Sequence, residues 1–134
     1  MTRLKLLVVD DHVLARNMIK TALRFCRCGE PEIVGEAADA ATAFEMAREL
    51  TPDVITMDIS LPDINGLDVT RELMKENPAL QVVVVTMHGE QEYRLAAMEA
   101  GAAHFIDKMH LIDELPSYLD QVADEMELCS ADNI

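Results

Sequence analysis

Leu4-Lys5-Leu6-Leu7-Val8-Val9-Asp10-Asp11 carries an apolar run, Leu6 to Val9, directly into two aspartates. A run this short, bounded by charge and apolar at every position, reads as a strand covered on both faces, and such strands belong to parallel sheets. Outward from it, similar runs recur at Glu32 to Ala37, Val54 to Met57, Val82 to Val85 and His104 to Ile106, each followed by a helical pattern. The first helix covers about Val13 to Cys26, with Ala15, Ile19, Ala22, Leu23 and Cys26 on one face. Asp39 is the predicted N-cap of the second, which carries Ala40, Ala43, Phe44 and Ala47 and stops before Pro52. The third runs from about Gly66 to Glu76, and the fourth from about Glu90 to Ala100, where Gly101 supplies a left-handed C-cap. The fifth carries Leu115, Leu119, Val122 and Met126, with Asp113 as N-cap and Pro116 in its first turn. Strict alternation of strand and helix implies right-handed crossovers with helices on both faces, so the fold class is an α/β three-layer sandwich. Glu32 to Ala37 contains Glu32, Gly35 and Glu36 and reads as an edge strand.

The chain has 134 residues, half of them hydrophobic, and 25 acidic against 11 Lys or Arg residues, for a net charge of −14. That length and apolar content predict one compact domain and exclude disorder. The acidity argues against direct nucleic-acid binding, which needs a basic face, and favours basic or apolar protein partners or divalent cations. The first apolar stretch ends at the aspartates, so neither a signal peptide nor a membrane span is expected and the location reads as cytoplasmic. Cys26, Cys28 and Cys129 read as free cytosolic thiols, because Cys26 and Cys28 have no second Cys or His cluster at zinc-like spacing. Residues 1–127 read as the domain, and 128–134 as a tail without signal that is expected to fray.

Ligands of open parallel sheets bind beyond the carboxyl ends of the strands. Asp10 and Asp11 follow the first strand, Asp58 the third, Thr86 ends the fourth, and Asp107 and Lys108 follow the fifth. Clustered carboxylates repel one another unless a cation sits among them, and a hard divalent ion takes their oxygens together with those of a phosphate. A carboxylate attacking a phosphoryl group, with Lys108, Thr86 and the ion neutralising its oxygens, is the chemistry this set supports. Asp11 has a plainer reading as the cap of the first helix, and Asp63 as a turn residue. His12, His88, His104 and His110 show no ligand spacing and read as exposed or packed side chains.

Leu7-Val8-Val9-Asp10-Asp11-His12, Met57-Asp58-Ile59-Ser60-Leu61-Pro62 with Asn65-Gly66, Val85-Thr86-Met87-His88 and Phe105-Ile106-Asp107-Lys108 together resemble the response-regulator receiver domains of bacterial two-component signalling. The resemblance covers nearly the whole chain and is nearest to the nitrate-response class; the helix-turn-helix domain usual in that class is not expected in these 134 residues, which read either as a stand-alone receiver or as one cut from a longer regulator. It implies a five-stranded sheet in order 2-1-3-4-5 with five helices. It further implies Asp58 as phosphoacceptor, served by a sensor histidine kinase or a histidine phosphotransfer protein. Asp11, Asp58 and the backbone carbonyl of Ser60 would ligate Mg²⁺, or alternatively Mn²⁺, with Asp10 acting through a water. Lys108 would pair with Asp58 and then with the phosphoryl oxygens, while Thr86 and Phe105 would form the switch. The output would be a downstream protein contact or a phosphorylation-linked homodimer, with no nucleic acid and no membrane involved.

Four positions depart from the pattern or modulate it. Met109 follows Lys108 where many receivers have a proline with a cis bond, and a cis bond before methionine costs about 2.5 to 4 kcal/mol. Either the loop absorbs that strain or Lys108 is presented differently. Met87 is larger than the residue usual after Thr86 and would narrow access to Asp58. Ser60 and His88 match positions that tune phosphoryl lifetime. Of the competing functions, an aspartyl-phosphate phosphatase lacks its general acid, because Ser60 stands two residues after Asp58. A flavodoxin-like nucleotide or flavin binder lacks a glycine-rich phosphate loop after the first strand. A degenerate scaffold is opposed by the complete set of acids and lysine.

Overall fold

Along β1 (Lys5–Val9), alternate side chains face opposite layers: Leu6 and Val8 pack with α1 (Val13–Leu23) and α5 (Leu111–Glu125), while Leu7 and Val9 pack with α2 (Ala40–Leu50) and α3 (Gly66–Glu76). The computed structural model describes residues 3–87 and 89–129. The remaining elements are β2 (Glu32–Ala37), β3 (Val54–Met57), β4 (Gln81–Thr86), α4 (Gln91–Glu99) and β5 (His104–Asp107), with a 3-10 turn at Lys108–His110. All strands are parallel, in the order β2-β1-β3-β4-β5. The predicted three-layer sandwich is therefore the fold observed, with β2 at one edge. A third apolar cluster, Ile59, Leu67, Val84, Ala97, Ala102 and Phe105, fills the space under α4.

Local chemistry explains most boundaries. Asp39 caps α2 by accepting from the Thr42 N–H at 2.7 Å, and Gly101 at φ +102 closes the turn after α4. α1 stops at Leu23, three residues short of the predicted end. Phe25 and Cys26 donate to carbonyls three residues back rather than four, which tightens the last turn. α5 starts earlier than predicted, because Asp107 accepts from the Met109 N–H at 3.0 Å and nucleates the 3-10 turn that runs into the helix. Asp113 is consequently inside the first turn rather than its N-cap, and Pro116 lies one turn deeper than expected.

The cysteine expectation is corrected. Cys28 and Cys129 form a disulfide across 101 positions of sequence, and Cys26 alone keeps a free thiol. Leu128 packs against the core, so the beginning of the segment expected to fray is fastened; residues 130–134 lie outside the described residues. Among the described residues, no helix is long and apolar enough to cross a membrane.

Candidate functional site

The register brings the predicted residues to one edge. Val9 pairs with Met57 and Thr86 with Asp107, so the residues following β1, β3 and β5 emerge side by side at the carboxyl end of the sheet. Asp10, Asp58, Thr86 and Lys108 are all buried there. The Lys108 ammonium lies 2.8 Å from Asp10 Oδ2 and 3.4 Å from Asp58 Oδ2. It thus bridges the two acids and sits closer to Asp10, whereas the sequence reading paired it with Asp58 alone. The described residues contain no cis peptide bond, so Lys108 reaches the site on a trans backbone, through the 3-10 turn that Asp107 holds.

One lysine does not balance three carboxylates. Burial holds the Asp58 carboxyl above its ordinary value; the Asp10 charge adds to this, while Lys108 and the Ser60 N–H oppose it. Asp10 is fixed at both ends: its Oδ1 accepts from the His12 N–H at 2.9 Å, and its carbonyl accepts from Arg16 Nη1 at 2.7 Å. Asp11 does not cap α1, whose N-cap is His12 and which has no side-chain cap at all. Instead Asp11 Oδ1 is buried without a hydrogen bond. His12 is exposed, as expected of the histidines, and its Nδ1 lies 2.9 Å from that oxygen. Oxygens of Asp10, Asp11 and Asp58 and a nitrogen of His12 all lie within 4.8 Å of one another. A buried carboxylate oxygen that accepts no hydrogen bond, beside two more acids, fits a divalent cation with oxygen ligands.

The β3–α3 loop supplies the rest of the wall. The Gly66 N–H donates to the Ile59 carbonyl at 2.8 Å, and a Cβ at Gly66 would collide with the Asp58 carbonyl. Glycine is required here by close approach rather than by an unusual φ. Asn65 caps α3 through the Leu67 N–H at 2.7 Å. Asp63, read from sequence as a turn residue, does more: its carboxylate accepts from the Ala40 and Ala41 N–H groups of α2 at 2.8 and 3.1 Å. These bonds, with that from the Ile64 N–H, hold the Asp63 carboxyl below its ordinary value. The loop bearing Ser60 is therefore tied to a neighbouring helix. No sequence signal marked this, because the partner lies 23 positions away.

A cleft of about 350 Å³ opens on Asp58, with Leu14, Met18, Met87 and Lys108 among its lining. Met87 is exposed. Thr86 lines the same cleft. Phe105 is fully buried under α4 with the Arg94 guanidinium 4.8 Å above its ring, a cation–π contact that the sequence did not reveal. His88 lies outside the described residues.

Comparison with known proteins bears on this arrangement. The family model for the response regulator receiver domain matches residues 6–120. Response regulator GacA of Pseudomonas aeruginosa is 39% identical over 119 residues, which are 89% of this chain and 55% of that protein. Chemotaxis protein CheY of Thermotoga maritima is 38% identical over 104 residues, 78% of this chain and 84% of the relative. The crystal structure of the response regulator domain of Thermotoga maritima CheB superposes with a TM-score of 0.73 at 34% identity, covering 99% of this chain and 98% of that one. The chain spans about half the length of the GacA proteins it matches. With the parallel sheet order, the acidic edge and a family match over most of its length, the chain belongs to the response regulator receiver domain family.

Proposed function

We propose that this chain is a phosphorylation-activated switch in which Asp58 accepts a phosphoryl group from a phosphohistidine on a sensor kinase or phosphotransfer protein. The observation that carries the reading is the buried Lys108 bridging Asp10 and Asp58 beside an Asp11 oxygen that accepts no hydrogen bond. In the transfer, an Asp58 carboxylate oxygen forms the new bond to phosphorus as the phosphorus–nitrogen bond of the donor breaks and its electron pair returns to the imidazole. Lys108, already 3.4 Å from Asp58, moves its charge from carboxylate to phosphoryl oxygens. Asp11, Asp58 and the Ser60 carbonyl would hold Mg²⁺ or Mn²⁺, with Asp10 acting through water; the ion supplies charge neutralisation at the phosphoryl oxygens. Asp10 and Arg16 keep the strand end rigid beneath it.

Thr86 and Phe105 form the switch. Thr86 turns its hydroxyl toward the phosphoryl group, and Phe105 holds the inward position under Arg94, so the surface of α4, β5 and α5 changes population with phosphorylation. The readout is a downstream protein or a second copy of the chain, in the cytoplasm, without nucleic acid or membrane. The receiver occupies residues 1–127 with Leu128 and Cys129 fastened to it, and its own slow hydrolysis of the acyl phosphate is tuned by Ser60, Met87 and His88. Intact-mass measurement after incubation with acetyl phosphate, with and without Mg²⁺, tests this. One Mg²⁺-dependent phosphoryl group mapped to Asp58 is expected, with none on Asp58→Asn; equal labelling of that variant overturns the assignment.

A further inference from the structure

At the pole opposite the acidic edge, the end of α5 and the loop between α1 and β2 are held together by two sets of contacts that do not involve sulfur. Asp120 of α5 accepts from the backbone N–H groups of Arg27 and Cys28 at 3.0 and 2.9 Å, which fixes the loop on the helix. α5 then ends in a left-handed turn. Glu127 sits at φ 60, its N–H donates to the Asp124 carbonyl at 3.0 Å, and the Leu128 N–H donates to the Ala123 carbonyl at 2.7 Å. Leu128 packs on the core, completing the paired bonds and following apolar residue of a Schellman termination. This turn directs the chain back, so that Cys129 meets Cys28. A left-handed backbone is costly for a residue that is not glycine, so the turn at Glu127 is the weak member of the assembly.

Cys26 lines the same small cavity as Cys28. Burial, with the Asp120 and Glu30 charges, pushes its thiol up to about 12, so it remains protonated and does not compete for the bond. Both bonded cysteines are only half-buried. In the cytoplasm, the location proposed for this chain and on which this inference rests, thiol pools remove most structural disulfides, and those that form there are transient or sensing.

We propose that Cys28 and Cys129 are a reversible oxidation site, a clamp that fastens the end of α5 to the α1–β2 loop when oxidised and releases it when reduced. The exchange partner is a thiol–disulfide couple that supplies two thiols. Its thiolate attacks one sulfur of the Cys28–Cys129 bond, its second thiol resolves the mixed disulfide, and two protein thiols and the partner's disulfide result. Release frees the Glu127 turn to unwind. Nothing in this depends on Asp58 or on a bound ion.

The test equilibrates the whole chain in glutathione buffers of graded ratio, traps thiols with N-ethylmaleimide and maps the bonds by mass spectrometry. A single two-electron transition confined to Cys28 and Cys129 is expected, retained in Cys26→Ser and lost in both Cys28→Ser and Cys129→Ser. Asp120→Ala is expected to favour the reduced form by roughly tenfold, the effect of losing charged hydrogen bonds. Amide exchange at Leu128 is expected to be at least about tenfold faster in the reduced chain. Alkylation of all three cysteines under oxidised glutathione, a bond mapped to Cys26, a bond that resists dithiothreitol until the chain unfolds, or unchanged Leu128 exchange would each overturn the proposal.

Discussion

Gly66 shows how much of the site depends on a missing atom. As the first residue of α3 it would favour alanine by about 1 kcal/mol on helix propensity alone. A methyl there meets the Asp58 carbonyl, which is backbone and cannot swing aside like a side chain. Gly66→Ala is therefore expected to lose about 1 to 3 kcal/mol of stability and to slow labelling of Asp58; a denaturant melt showing stabilisation would mean the loop yields. Asp63 acts from the same loop by charge. Because its carboxyl lies below the ordinary 3.8 in the folded chain, its contribution is fully present above pH 3.8 and is lost as pH falls through the folded value. Asp63→Ala should melt below the parent at neutral pH, and the gap should close in strong acid. A gap that persists there would assign the effect to packing rather than to the carboxylate.

At the scale of elements, what was legible in the sequence is what local chemistry decides. Alternating strands and helices, the Asp39 cap and the Gly101 stop are set by neighbours in the chain, and they appear where periodicity placed them. The acids at strand ends were legible for the same reason, since the strand order converts chain position into a shared edge. The misplaced start of α5 came from a side chain outside the periodic pattern: Asp107, read only as following the fifth strand, caps the turn that leads into the helix. His12 was set aside because it has no partner at ligand spacing, yet a backbone bond from its own N–H to Asp10 folds it onto the acids. Asp63 belongs to the same class, a residue whose partner is a helix end reached only after the sheet has formed.

At the scale of the whole molecule, the sheet separates two charged poles, the acidic edge at its carboxyl end and the Asp120 contacts at the other. The Cys28–Cys129 bond was not legible, since three cysteines permit any pairing and the choice is made by α1 and α5 packing side by side. Its consequence for stability follows from chain statistics. A bond closing 101 positions restricts the unfolded chain far more than the folded one, in which Asp120 and the Glu127 turn already hold both ends. Disulfides of this kind contribute about 2 to 4 kcal/mol, and about 1 kcal/mol moves the midpoint of a domain this size by roughly 4 °C. The reduced chain is therefore expected to melt about 10 °C below the oxidised one in calorimetry. Cys129→Ser should match the reduced form under both conditions, and Cys26→Ser should keep the difference. Equal midpoints for the oxidised and reduced chains would show that the unfolded ensemble already holds the two ends together, and would remove the entropic account of the bond.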